Sequence, residues 1–327
     1  MRKIFIKLAR LLGYEIIDQN KFISPTLNKE LNEDLSILND KSIILPLGNV
    51  KITKRVNSIL IILRMNTEVE IWDQNKKRLF GEPKIEYSIR SIKSLIKSID
   101  FCQKKYPDLK IKTIIIEDHS KKENLEKVEK LIQNQNIDIV SLDHEKYKPL
   151  IKEQKSIGTF SNLASLLQSF EIGKNKGEDL IFFVEDDYLF ELNCFDELIN
   201  SFARISSILK KDIIMCTSDY PFYYDSLYKT NIYVGQNYRW RTVGETLLTF
   251  MFTKEIYKKY KNEIRDVGKK INKPFEKPLH DIYNDVECLA PIGSLSYHIG
   301  RSVPAINEDW LKLWNDNYLN FKNIIQQ

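Results

Sequence analysis

Four cysteines are all that 327 residues contain, at positions 102, 194, 216 and 288, and no two form a C-x-x-C pair. Such scattered thiols suit the reducing cytosol better than a disulfide framework or a cysteine zinc site. No run of 18 apolar residues occurs, so no spanning helix is predicted. No small-residue cleavage region marks a secretory signal either. Charge of neither sign dominates: 50 basic against 45 acidic side chains leave +5, too small and dispersed an excess to indicate nucleic acid. The signatures G-x-x-x-x-G-K-[ST], G-x-G-x-x-G and H-E-x-x-H are absent, which removes P-loop, dinucleotide-binding and zinc-protease readings. There is no internal repeat.

What remains is a globular composition, 43% hydrophobic and 29% charged. Residues 1–55 read as an amphipathic helix and an irregular lead-in. In Met1 to Leu12, Ile4, Phe5, Leu8, Leu11 and Leu12 recur at helical spacing, and Arg2, Lys3, Lys7 and Arg10 supply charge with no acid before Glu15. That pattern suits a peripheral contact with an anionic membrane, at its cytoplasmic face, and equally a helix packed on its own domain. Residues 19–55 are polar and broken by Pro25 and Pro46.

A regular alternation then occupies residues 56–305. Aliphatic runs at Ser58–Met65, Lys112–Ile116, Ile137–Leu142, Asp179–Val184 and Asp212–Cys216 predict buried strands. Helical stripes at Ile85–Lys104, Lys121–Asn134, Ser161–Lys174 and Phe195–Leu209 separate them. Strands alternating with amphipathic helices give right-handed βαβ units. Strand-like runs at Ile232–Gly235 and Thr246–Thr253 predict antiparallel additions to the same sheet, an acceptor-side extension. The fold class is therefore α/β: a Rossmann-type mixed sheet flanked by helices. Residues 306–327 read as a helical tail.

Ligands of such sheets bind beyond the carboxyl ends of the strands. Two strands end in acids there: Glu117-Asp118-His119-Ser120 follows one, and Glu185-Asp186-Asp187 follows another. Alternation along a strand would point Glu185 and Asp187 to one side and Asp186 to the other. Carboxylates so placed suit Mg²⁺ or Mn²⁺, which can neutralise a departing diphosphate. An ordinary acidic turn would look the same in isolation.

Phe182-Phe183-Val184-Glu185-Asp186-Asp187 resembles the acidic metal motif of GT-A-fold glycosyltransferases of the family 2 type, in its Glu-Asp-Asp variant. Ile115-Ile116-Glu117-Asp118-His119-Ser120 is similar to that family's Asp-Asp-x-Ser segment, with Glu117 in place of the usual first Asp and His119 where a small residue is common. The resemblance implies a GT-A-like domain that moves a sugar from a nucleotide-diphosphate sugar to a glycan, a lipid-linked molecule or another hydroxyl acceptor, in cell-surface polysaccharide synthesis. It implies Asp187 as principal ligand of a divalent cation, with His298 of Tyr297-His298-Ile299-Gly300 completing the shell. It implies Glu185, and Asp186 toward the ribose, on the donor, with Glu117 and Asp118 at the nucleoside; Arg64 could meet phosphate in the same pocket.

An inverting transfer needs a carboxylate to take the acceptor hydroxyl's proton. The resemblance implies one at a helix start beyond the acceptor-side strand: Asp281 in Pro278-Leu279-His280-Asp281, with Glu245 as rival. Aromatics stack on sugar faces, and Tyr220, Phe222, Tyr223, Tyr224, Trp240 and Trp310 supply them. Trp240-Arg241, flanked by polar residues, is the pair expected at the surface. Two other classes fit less well or equally. A sugar-phosphate nucleotidyltransferase would place glycine after its first strand, where Arg64-Met65-Asn66-Thr67 has none. A non-catalytic glycan-binding protein on a transferase fold is compatible with the same acids.

Overall fold

The computed structural model describes residues 2–14, 36–44, 48–68, 78–152, 156–227, 229–300, 303–306 and 308–319. Pro25, Pro46, Tyr228 and the end of the tail lie outside them. Helix α1 (Arg2–Leu11) closes at Gly13, whose φ of 82° is the left-handed conformation that ends a helix with least strain. Strands β1 (Ser36–Ile37), β2 (Lys41–Ile44) and β3 (Gly48–Lys51) make a small antiparallel sheet, so the lead-in is not irregular throughout. Asn39 ties it down, accepting from the Val56 amide at 2.7 Å and donating to the Val56 carbonyl at 2.8 Å.

Strand β4 (Ser58–Met65) begins the main sheet, with every residue but Arg64 buried. Helix α2 (Lys84–Lys105), β5 (Lys110–Glu117), α3 (Lys122–Ile132) and β6 (Ile137–Ser141) follow as βαβ units. Next come α4 (His144–Tyr147), α5 (Ile157–Lys176), β7 (Leu180–Glu185), β8 (Tyr188–Phe190) and α6 (Cys194–Leu209). The remainder holds β9 (Ile214–Met215), β10 (Ile232–Val234), β11 (Arg239–Val243), β12 (Phe250–Thr253), α7 (Lys254–Lys259), α8 (Lys261–Asp266), α9 (Lys277–Ile282), β13 (Cys288–Ile292), β14 (Ser296–His298) and α10 (Trp310–Asp316).

Nine strands form one mixed sheet in the order β10-β11-β13-β9-β12-β7-β4-β5-β6. The stretch β7-β4-β5-β6 is parallel throughout, and β12 joins it antiparallel. The predicted α/β class and the antiparallel extension of the same sheet are therefore both present. The strand expected over Thr246–Thr253 is shorter, starting at Phe250, because Thr246 bonds instead to His280 and Tyr283. From β4 the chain moves outward through β5 to β6, then returns to place β7 on the other side of β4. Strand order thus reverses between β4 and β7, which is where such sheets open a ligand crevice.

The apolar stripe of α2, Ile85, Ile89, Ile92 and Leu95, is buried in the core. A second stripe of the same helix is serine. Ser88 Oγ donates to Asp186, while Ser94 and Ser98 accept the Phe190 and Phe195 amides. The small side chains let β8 approach the helix, and their hydroxyls satisfy backbone groups that burial would otherwise orphan. Helix α10 docks on α2, with the Arg90 guanidinium 4.1 Å from the Trp314 ring. No described helix is long and apolar enough to cross a membrane.

Candidate active site

Parallel pairing brings the carboxyl ends of β4, β5 and β7 to one edge, and register sets Arg64 opposite Glu185. Arg64 donates to Glu185 Oε1 at 2.8 Å and to Asn162 Oδ1 at 2.7 Å. A cleft of about 690 Å³ opens beyond this edge, in the range that holds a nucleotide-sized ligand. Arg64, Asp118, Glu185, Asp186, Asp187 and His298 all line it.

Strand alternation does not apply to the whole acidic run. β7 stops at Glu185, and Asp186-Asp187 form the tight turn into β8, so all three carboxylates reach one cavity. Asp186 is buried and fully engaged: its Oδ1 accepts from Lys84 at 2.6 Å, and its Oδ2 accepts from Ser88 at 2.6 Å and from the Asn66 amide at 3.2 Å. Its bonds tie the turn to α2 and β4. Asp187 is the opposite case. Its Oδ2 lies 3.6 Å from the Lys84 ammonium, while its Oδ1 is buried without a hydrogen-bond partner.

His298 faces that oxygen from 3.5 Å, too far for a good hydrogen bond. Its position follows from the β8–β14 ribbon, where His298 pairs with Tyr188 and stacks on its ring at 4.8 Å. Burial alone would lower the His298 imidazole, but the facing Asp187 carboxylate outweighs it and raises the value. Burial likewise opposes charge on Asp187, yet Lys84 and His298 hold it well below the usual carboxylate range. Glu185 is raised, chiefly by burial, against the pull of Arg64. An orphaned carboxylate oxygen facing an imidazole is a donor set that fits Mn²⁺ or Mg²⁺.

Cationic groups surround these acids. Lys84, at the first position of α2, is held charged by Asp186 and Asp187 against the cost of its own burial. Arg78 stands on the rim, and the first turns of α5 contribute Ser156, Gly158, Thr159 and Ser161 to the wall. Amides at that helix N-terminus favour an anion.

No protein-family model matches the sequence, and no curated protein matches it. Among solved structures the chain is similar to TarS 1–349 of S. aureus, at 12% identity and a TM-score of 0.43 over 73% of this chain and 60% of that one. It is similar to the glycosyltransferase GlyE of Streptococcus pneumoniae, at 10% identity and a TM-score of 0.44 over 83% and 62%. It is also similar to the galactosyltransferase LgtC, solved with donor and acceptor sugar analogs, at 9% identity and 0.37 over 71% and 72%. The chain thus spans under two thirds of the length of the first two.

Several expected site residues stand elsewhere. Glu117 is buried at the end of β5, where its carboxylate accepts the Ser120 amide and closes the turn instead of lining the cleft. Trp240 is fully buried, its Nε1 donating to Glu197 of α6, which covers that face of β11. Arg241 is also buried, paired with Asp219 and lying over the Tyr224 ring at 4.3 Å. The pair expected at the surface is therefore core. Tyr220 and Tyr223 are buried too, and Trp310 packs against Phe80. Phe222, stacked on Tyr220 at 5.1 Å, is the aromatic of this set that reaches the cleft.

Asp281 sits in the last turn of α9, not at its start, and is exposed and paired with Lys277. Glu245 is exposed on the loop before β12. Neither lines the cleft. Glu276, at the position that precedes α9, went unread in the sequence. It is half-buried, and burial, reinforced by Glu185 and Glu245 and opposed by Arg64, raises its carboxyl to about 7. Lys84 also went unread, because a lysine after Pro83 at a helix start gives no sign of burial.

Proposed function

We propose that this chain is a glycosyltransferase that moves a sugar from a nucleotide-diphosphate sugar to a hydroxyl acceptor. The observation that carries the reading is Asp187 Oδ1, a buried oxygen without a hydrogen-bond partner facing His298, in a cleft that Arg64, Arg78 and Lys84 also line. Asp187 and His298 would hold Mn²⁺ or Mg²⁺, whose charge offsets that of a departing diphosphate. Lys84, Arg64 and the N-terminus of α5 bind and orient the same diphosphate. Asp118, pinned by Asn66 at 3.0 Å, stands at the nucleoside end. Phe222 offers a face for a sugar ring.

The proton of the acceptor hydroxyl needs a carboxylate that is ionised at the working pH and still basic enough to take it. Glu276, poised near 7, has that property and feels the charges of Glu185 and Arg64, which line the cleft, although it is not itself a lining residue. Asp281 lies one turn further along and Glu245 on the facing loop. They are the alternatives that substitution must eliminate.

A glycan or lipid-linked acceptor in cell-surface polysaccharide synthesis fits the exposed face of α1. Ile4, Phe5, Leu8 and Leu11 stand open to solvent there, with Lys7 and Arg10 exposed on the same short helix. Apolar side chains beside positive charge suit an anionic bilayer. Deleting residues 1–14 should release the chain from anionic vesicles without slowing transfer to a soluble acceptor.

The reading is tested by thermal denaturation with UDP, GDP, dTDP and CMP, each with and without Mn²⁺, followed by assay of sugar release from the matching donor. One nucleotide should stabilise the chain in a metal-dependent way, and its sugar conjugate should turn over. No stabilisation by any nucleotide, or binding without turnover, would set the transferase reading aside.

A further inference from the structure

A second cluster of ligating atoms, made of residues other than Asp187 and His298, gathers at the end of β5. Asp118 Oδ1 is 2.8 Å from His119 Nδ1 and 3.0 Å from His144 Nε2. The three donor atoms lie within 4.8 Å of one another. Ligand atoms about 2.1 Å from a common tetrahedral ion are about 3.4 Å apart, and the two separations from Asp118 Oδ1, 2.8 and 3.0 Å, lie a few tenths of an ångström inside that. We propose that Asp118, His119 and His144 form a binding site for a Zn²⁺-class transition metal ion.

The surroundings hold the three groups in place without the ion. Asp118 is buried, its Oδ2 takes the Asn66 amide group at 3.0 Å, and its own backbone amide donates to Met65 at 3.0 Å. Oδ1 is thereby turned toward the imidazoles. His144 opens α4, is backed by Phe160 at 5.7 Å between ring centroids, and has Ser161 Oγ 3.2 Å from its Nε2. His119 has φ at 56°, a left-handed conformation that costs a non-glycine residue on the order of 1–2 kcal/mol. That conformation swings its ring beside His144, with centroids 4.4 Å apart.

Two imidazole nitrogens and one carboxylate oxygen favour zinc, cobalt or nickel over magnesium or calcium. Three protein ligands also leave coordination positions open, and Asp118 lines the cleft. The site shares Asp118 with the nucleoside end of the proposed donor cleft, so it is tested by metal binding in the absence of nucleotide, a readout that the transferase reading does not determine.

Equilibrium dialysis against Zn²⁺ tests it on the full chain carrying His298→Ala, which removes the imidazole of the other cluster. One zinc per chain is expected, and Co²⁺ in its place should give a visible d–d absorption band. Adding His119→Ala or His144→Ala should weaken zinc at least tenfold and abolish the band. The His119 side chain is 74% exposed, so its loss leaves the fold in place and the comparison interpretable even if the His144 variant does not fold. Absence of zinc from the His298→Ala chain, or affinity unchanged by His119→Ala, overturns the proposal.

Discussion

The two halves of the sheet use buried carboxylates in opposite ways. In the antiparallel half, Glu197 is completely buried and completely satisfied. It accepts from Ser201 at 2.6 Å, from the Asn237 and Gln236 amides at 2.7 and 3.1 Å, and from Trp240 Nε1 at 3.2 Å. In the parallel half, Asp187 is buried with one oxygen that has no partner. A buried charge is tolerated when donors surround it, so Glu197 has nothing left to offer a ligand. Asp187 has an unmet requirement, and an incoming cation would meet it. Burial and charge alone do not separate structure from function here; the count of satisfied oxygens does.

The contrast is broken most directly by two alanine substitutions. Asp187→Ala should lower metal-dependent transfer by about 10³-fold or more, equivalent to about 4 kcal/mol of transition-state stabilisation. Its melting temperature should fall only modestly, because Lys84 and His298 lose one acid while Lys84 keeps Asp186 at 2.6 Å. Steady-state kinetics over a Mn²⁺ series, with calorimetry alongside, reads both. Glu197→Ala should do the reverse. It strands several buried donors and should cost about 3 kcal/mol in urea denaturation. A loss under 1 kcal/mol would show that those donors find water, and that Glu197 does not organise the β10–β11 turn.

Glu276 sharpens the comparison, since it is a carboxylate of intermediate burial. Its folded value of about 7 lies above the ordinary 4.5, so protonation favours the folded state. Its contribution to stability is full below about pH 4.5 and is lost as pH rises through about 7. Glu276→Gln should therefore match wild type at pH 4.5 and exceed it at pH 8, by on the order of 2 kcal/mol. If Glu276 is the base, the same variant should lose 10²–10⁴-fold in transfer and the rise in rate through pH 7. A variant that keeps that rise assigns the base elsewhere.

The parallel half was legible from sequence because its strands are continuous aliphatic runs, and their acidic ends follow directly in the chain. Ser58–Met65 and Asp179–Val184 needed no tertiary information to be read as buried strands. The site's cations were not legible in the same way. Lys84 lies about a hundred residues before Asp186, and only the packing of α2 against β8 joins them. Trp240-Arg241 misled for a related reason. Polar neighbours normally mark an exposed strand face, but α6 covers Trp240, with Glu197 taking its Nε1 hydrogen, while Asp219, Tyr223 and Tyr224 enclose Arg241. Asp118 was legible as an acid at a strand end, whereas its convergence with His144 depends on how the β6–α4 connection folds back.

The smallest effect is expected at Asp281, and it bears on how far position in sequence can stand in for position in space. Asp281 follows the acceptor-side strand as a base of this kind would, yet α9 begins at Lys277 and carries it into the last turn, exposed and paired with Lys277. An exposed pair spaced i, i+4, with the lysine first, contributes about 0.5 kcal/mol or less. Asp281→Asn removes that pair and any capacity to accept a proton at neutral pH, while preserving shape. Melting temperature and nucleotide binding should hardly move, and transfer should stay within about twofold of wild type. A loss of 10²-fold or more with the fold intact would return the base to Asp281 and require α9 to turn toward the cleft when substrate binds. Glu276→Gln, measured on the same acceptor, would then show little loss, so the two variants together assign the proton transfer to one carboxylate.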